Sequence, residues 1–266
     1  MSSFVSISGK AFRRLARKLA PHSVTTGYRR FRRQWVRRRN QSMSVEQVFS
    51  QIYEKNLWGG RPGEFCSGSG TSNEEAVSAY ISTIAEKASS EGFLGAKFVD
   101  LGCGDFRVGR QLLPFCSDYT GCDVVRPLIR NNEEKYGGET VRFLHLDIVN
   151  DDLPAGDVCF VRQVFQHLSN QQISSVIPKL RSYGWVFITE HHPPDGSAVT
   201  PNRDKTHGGD IRLYENSGVY LSEAPFSLPE RAIEKVLEIP WLGEDGSDAG
   251  FLRTFLFRPK LLETGS

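Results

Sequence analysis

Gly102 and Gly104 directly follow the apolar run that ends at Leu101, and two aspartates, Asp123 and Asp147, close the next two such runs, "YTGCD" and "FLHLD". Glycine at the carboxyl end of a buried strand tolerates φ > 0 and lets backbone N–H groups approach a ligand with no Cβ in the way. A carboxylate about twenty residues further on, ending the second strand, is placed to accept hydrogen bonds from ribose hydroxyls. Asp147, ending the third, is placed to meet an adenine edge. The pyrophosphate fingerprint G-x-G-x-x-G is not completed: Asp105, Phe106 and Arg107 follow Gly104, and the next glycine is Gly109. The spacing therefore suits a nucleoside that carries no phosphate.

A second set of reactive side chains lies in "TEHHPPDGSAVTPNRDKTHGGDIRLY", Thr189 to Tyr214. It holds Glu190, His191, His192, Asp204, Lys205, His207, Asp210 and Tyr214, groups suited to moving a proton at neutral pH. Glu190 and His191, ending a strand, and His167 in "QHLS" are the catalytic candidates. The plainer readings are a satisfied buried polar pair for the first two and a helix cap for the third. His191, His192, His207 and Asp210 are of types that ligate zinc or iron. Adjacent histidines point in different directions, however, and the loop spacing matches no metal motif, so no metal site is expected. "GVYLSEAPF", Gly218 to Phe226, is apolar and aromatic enough to wall an acceptor pocket.

These groups need a scaffold. After Gly95, strand signals at Lys97–Leu101, Tyr119–Val124, Val141–Ile148, Val158–Val164 and Trp185–Glu190 alternate with helical ones. That alternation predicts a parallel sheet covered on both faces. Ile173, Val176, Ile177 and Leu180 fall at helical spacing, with Pro178 set to kink the helix. Ala232–Ile239 and Phe251–Phe257 flank a turn-rich segment and read as an antiparallel pair at one edge. Upstream, "SVEQ" (Ser44, Gln47) and "SNEE" (Ser72, Glu75) read as capping boxes opening two helices.

The chain of 266 residues carries 33 Lys or Arg and 31 Asp or Glu, yet residues 1–40 hold twelve of the basic residues and no acid. The remainder, 21 basic against 31 acidic, is near −10: a basic arm on an acidic body. Within the arm, Phe12, Leu15, Ala16 and Leu19 have helical spacing, and "YRRFRRQWVRRRN" interleaves Tyr28, Phe31 and Trp35 with seven arginines. A peripheral membrane surface, nucleic acid and an organellar transit peptide compete with a solvated tail, nucleic acid carrying less weight than membrane. No apolar run is long enough to span a bilayer. The five cysteines are scattered without a C-x-x-C pair, which points to free thiols in a reducing compartment such as the cytoplasm.

In order and spacing, "VDLGCGDFRVG", the Asp ending "YTGCD", "LHLDI" and "VCFVRQVFQHLS" resemble the class I S-adenosylmethionine-dependent methyltransferases. The resemblance spans roughly Trp58 to Pro259. It implies an α/β fold, a doubly wound and mostly parallel seven-stranded sheet of order 3-2-1-4-5-7-6 with strand 7 antiparallel. The implied division is a basic arm (1–40), an N-terminal helical cap region (41–95) and an S-adenosylmethionine-binding domain (96–259). Asp100, Gly102 and Gly104 would then line the methionine side and Asp123 the ribose, with Asp147 and Ile148 flanking the adenine. Gln163, with Gln166, would face cofactor or acceptor, and Ser67 and Gly68 in "SGSGTS" would close over the carboxylate. The activity implied is methyl transfer to a small-molecule acceptor, a sugar or lipid-linked glycan, at oxygen. The alternatives are a nucleic-acid or protein methyltransferase tethered by the arm, and an inactive nucleoside-binding scaffold. The absence of an Asn/Asp-Pro-Pro-Tyr motif and the acidic body weigh against the first, and the intact glycine loop against the second.

Overall fold

Residues of the central strands divide between two apolar cores with the period of two that a strand imposes. Along β1 (Ala96–Leu101), Phe98 enters one core while Val99 and Leu101 enter the other. The sheet continues through β2 (Cys116–Asp123), β3 (Val141–His145), β4 (Val158–Arg162), β5 (Trp185–His192), β6 (Ile233–Trp241) and β7 (Gly250–Phe257). In β4, Val158 and Phe160 oppose Cys159 and Val161; in β5, Phe187 opposes Val186 and Ile188. This computed structural model describes residues 22–194, 196, 198–242 and 249–262. The apolar spacing from Phe12 to Leu19 lies outside the described residues.

The strand order is β3-β2-β1-β4-β5-β7-β6. β1 to β5 pair in parallel, and β7 runs antiparallel to both β5 and β6. The expected fold class is therefore observed, with the antiparallel pair at one edge. β1 lies between β2 and β4, so the direction of winding reverses there. That reversal opens a crevice at the carboxyl ends of β1 and β4.

Helices close one end of this crevice. α1 (His22–Asn40) leads to α2 (Val45–Glu54), whose Ser44 and Gln47 form the expected capping box. α2 buries Val45, Val48, Phe49, Ile52 and Tyr53 against the core. The second expected box is corrected: Asn73, not Ser72, caps α3 (Glu74–Ser90), accepting from the Ala76 amide at 3.0 Å, because Ser72 belongs to the preceding helical turn Ser69–Ser72. After β1 the chain makes two short 3₁₀ turns, Gly109–Gln111 and Leu113–Phe115, the second with Pro114 in its first positions. α4 (Arg126–Tyr136) follows β2. α5 (Asn170–Val176) stops just before Pro178, and a 3₁₀ turn, Lys179–Ser182, continues the path. Among the described residues, no helix is long and apolar enough to cross a membrane.

Candidate active site

The crevice between β1 and β4 is a cleft of about 1070 Å³, solvent at its mouth included. Of the expected ligand-binding residues, Ser67, Asp100, Gly102, Gly104, Asp123, Asp147, Ile148 and Gln163 all line it. Gly68 is not among the lining residues; its φ of 90° turns the chain past Trp58 instead.

The glycines are required by space as well as by dihedral angle. Gly102 has φ 79°, and a Cβ there would lie 2.5 Å from Val164 Cγ2. Gly104 has φ 55°, and a Cβ would meet Ser67 Oγ at 2.4 Å. Ser67 Oγ accepts from the Asp105 amide at 2.8 Å and lies 2.9 Å from Tyr53 Oη. The Ser67 amide in turn donates to Asp105 Oδ2 at 3.2 Å. The serine-glycine segment is thereby latched across the turn after β1.

Asp123 accepts from the Gly104 amide at 3.2 Å and the Val125 amide at 3.0 Å. Burial pushes its carboxyl up to about 6. Asp100 accepts a short hydrogen bond from the Tyr119 hydroxyl, and burial again raises it to about 6. Asp147 turns back on its own loop, accepting from the Val149 amide at 2.9 Å and Asn150 Nδ2 at 2.8 Å. Gln163 sits at φ 58°, a conformation sparsely used by side-chain-bearing residues and concentrated at functional sites. Its buried Nε2 has no protein partner. A buried donor left unsatisfied carries a free-energy penalty that a ligand acceptor would relieve.

Arg162, at the end of β4, escaped the sequence reading. It is half-buried and lines the cleft, donates from Nη2 to the Gly70 carbonyl at 2.8 Å, and lies 5.3 Å from the centre of the Tyr80 ring. Its Nε has no partner. The available signal was a lone charge closing the apolar run "VCFVR". Trp58, Tyr53 and Phe49 were equally invisible as cleft residues, because aromatic residues at such positions read first as core.

The catalytic candidates separate. Glu190 does not reach the cleft: its carboxylate accepts the amides of Val164, Phe165 and Gln166 at 3.2, 2.8 and 3.1 Å. Burial pushes that carboxyl up to about 8 against the pull of those bonds and of Arg212. It anchors the backbone after β4 and touches nothing that could react. His191 is also outside the cleft, with Nδ1 2.9 Å from Gln166 Oε1 and its ring edge-on to Trp241. Neither residue lines the cleft: Glu190 is a buried carboxylate satisfied by three backbone amides, whereas His191 keeps a buried Nε2 with no partner.

His167 does line the cleft. Its ring packs 5.3 Å from Trp58 and 6.1 Å from Phe49, centre to centre. Nδ1 lies 3.0 Å from the Gly208 carbonyl, a partner that can only accept, so the proton sits on Nδ1 and Nε2 carries the lone pair. Nε2 meets only the Gln166 amide, at 3.4 Å. Burial and nearby Lys205 hold the imidazole down at about 4, so it is neutral at physiological pH.

The long loop from Thr189 backs the cleft without lining it. Trp58 Nε1 donates to the Gly209 carbonyl at 3.4 Å, and buried Lys205 pairs with Asp210 at 2.9 Å. The four residues weighed as metal ligands are engaged separately: His191 with Gln166, His192 Nε2 with Val219 O, His207 Nε2 with Met43 O, and Asp210 with Lys205 and Arg37. The stretch from Gly218 to Phe226, expected to wall an acceptor pocket, instead contributes Val219 and Leu221 to the core. Val45, Phe49, Trp58, His167 and Leu168 also line the cleft.

Residues 99–183 match the family described as a methyltransferase domain. No curated protein matches the sequence. Among solved structures, the chain is similar to the N-methyltransferase NodS from Bradyrhizobium japonicum WM9 bound to S-adenosyl-L-homocysteine, with TM-score 0.53 and 15% identity over 79% of this chain and 98% of that one. It is also similar to 1,6-didemethyltoxoflavin-N1-methyltransferase from Burkholderia thailandensis, with TM-score 0.50 and 16% identity over 80% and 87%. The [4+2]-cyclase SpnF has TM-score 0.51 and 13% identity over 82% and 96%. At these identities the likeness is one of fold.

Proposed function

We propose, on the premise that residues 99–183 form a class I S-adenosylmethionine-dependent methyltransferase domain, that the protein methylates a hydroxyl of a small molecule, a sugar or lipid-linked glycan being the favoured class. The cleft fits the cofactor. Two glycines leave room that a Cβ would fill, and the unpaired donors of Gln163 and Arg162 are buried at its wall. Asp123 would hold the ribose, Asp147 and Ile148 the adenine end, and Asp100, Gly102, Gly104 and Ser67 the amino-acid end. Bound there, S-adenosylmethionine supplies an already activated methyl group, so positioning the acceptor provides much of the rate.

The single observation that carries the oxygen reading is the state of His167. With Nδ1–H given to Gly208, Nε2 is the one basic lone pair of a neutral imidazole on the cleft wall. A hydroxyl acceptor sheds a proton, and Nε2 can receive it. Phe49 and Trp58 pack against the imidazole ring and, with Val45 and Leu168, offer an apolar face to the acceptor's carbon skeleton. SpnF shows that the fold also serves cyclisation, so the reaction is argued from the site rather than from the fold. Incubation with methyl-labelled S-adenosylmethionine and matched hydroxyl and amine acceptors tests the reading. Label in the hydroxyl series is expected; label only in the amine series would overturn it.

A further inference from the structure

The two sides of α1 do different things. Arg33, Arg37 and Asn40, spaced i, i+4, i+7, face the body of the protein. Arg37 donates from Nε and Nη2 to Asp210 Oδ2 at 3.0 and 2.7 Å and pairs with Glu215. Asn40 Nδ2 donates to the His207 carbonyl at 3.1 Å, and Arg33 lies 5.0 Å from the centre of the Tyr214 ring. Phe31, Trp35 and Arg38 have the same spacing but occupy the opposite side of the helix. Phe31 is 67% exposed and Trp35 56% exposed, with Arg39 stacked 5.9 Å from the Trp35 ring. The helix carries seven arginines and no acid.

We propose that this outward face of α1 docks on an anionic lipid bilayer. Two large rings on the crest of a convex helix, flanked by arginines, match a planar interface. The rings enter the headgroup region while the guanidinium groups meet lipid phosphates. Charge complementarity is local, because residues 41–266 are near −10 and would be repelled by the same surface. The ion pairs of Arg37 then orient the body, and they reach the cleft through the segment whose Gly208 carbonyl holds His167. A nucleic-acid duplex calls for a cationic track along its phosphates, whereas here rings occupy the line that such a track would need.

The test is co-sedimentation of the full chain with phosphatidylcholine vesicles, with and without phosphatidylglycerol. Binding to the anionic vesicles is expected, weakened about tenfold or more in the Phe31→Ser/Trp35→Ser double variant. It should be unchanged in Leu94→Ser, which removes a side chain 63% exposed elsewhere. S-adenosylhomocysteine binding by the same preparations reports separately on the cleft and on folding. Failure to bind anionic vesicles, equal binding to both vesicle types, or wild-type binding by the double variant would overturn the proposal. So would displacement from the vesicles by single-stranded RNA that binds through Phe31 and Trp35, which would make the face a nucleic-acid tether.

Discussion

His167 and Gly208 hold each other by two reciprocal bonds: Nδ1–H of the imidazole donates to the Gly208 carbonyl at 3.0 Å, and the Gly208 amide donates to the His167 carbonyl at 2.9 Å. The pair joins the turn after β4 to the long loop after β5 and fixes which imidazole nitrogen keeps the lone pair. Replacing His167 by Asn retains a side-chain N–H for Gly208 and removes the Nε2 base. Turnover with a hydroxyl acceptor is expected to fall about 10²–10⁴-fold, with the dissociation constant of S-adenosylhomocysteine unchanged. Steady-state kinetics beside calorimetry makes the comparison, and undiminished turnover in His167→Asn would remove His167 from the chemistry.

Gly102→Ala and Gly138→Ala separate the cradle from ordinary glycine effects. At Gly102 the added methyl meets Val164 Cγ2 at 2.5 Å and φ is 79°. The left-handed conformation alone costs about 1–2 kcal/mol, so a clear loss of stability and of cofactor affinity is expected. At Gly138 nothing lies within 4 Å of the new Cβ, and the change should stay within about 0.5 kcal/mol. Urea denaturation of both variants decides, and equal effects would show that the turn after β1 is not sterically constrained.

Acid should weaken the fold through its buried histidines. Burial holds His167, His191 and His192 down at about 4, 3 and 4. The unfolded chain takes up these protons near the ordinary value of 6.5. Between pH 6.5 and about 4 the unfolded state therefore binds more protons, and stability falls as pH is lowered. Asp100, Asp123 and Glu190, raised by burial, act in the opposite sense, so a variant isolates one group better than the whole curve does. In His192→Gln one histidine no longer titrates. The stability gap to wild type should narrow on acidification through that window, by about 1.4 kcal/mol per pH unit at most. A gap that is constant with pH would mean that His192 titrates as in the unfolded chain.

The sheet was legible because strand periodicity and the glycine turn are local signals. Phe98, Val99 and Leu101 alternate between cores as their order implies, and Ser44 with Gln47 closes a capping box within four residues. The helix expected to kink at Pro178 instead ends at Val176, because the proline lacks an N–H and its ring crowds the preceding turn. What failed depended on distant partners. Nothing near Glu190 in sequence shows that its carboxylate accepts three amides from residues 164–166, so a strand-end carboxylate looked like one facing a ligand. His167 looked like a cap because Gly208, which fixes its ring, is forty-one residues away. Arg162 went unremarked and Trp58 read as core for the same reason: their place on the cleft wall depends on segments distant in sequence.

Calorimetric titration of S-adenosylhomocysteine into the wild-type protein and Asp123→Ala tests the cofactor cleft most directly. The variant removes the carboxylate that bridges the Gly104 and Val125 amides and would face the ribose. Saturable binding by wild type, weakened about tenfold or more in Asp123→Ala, is the expected result. Absence of heat with wild type, or the same affinity in both proteins, would contradict it.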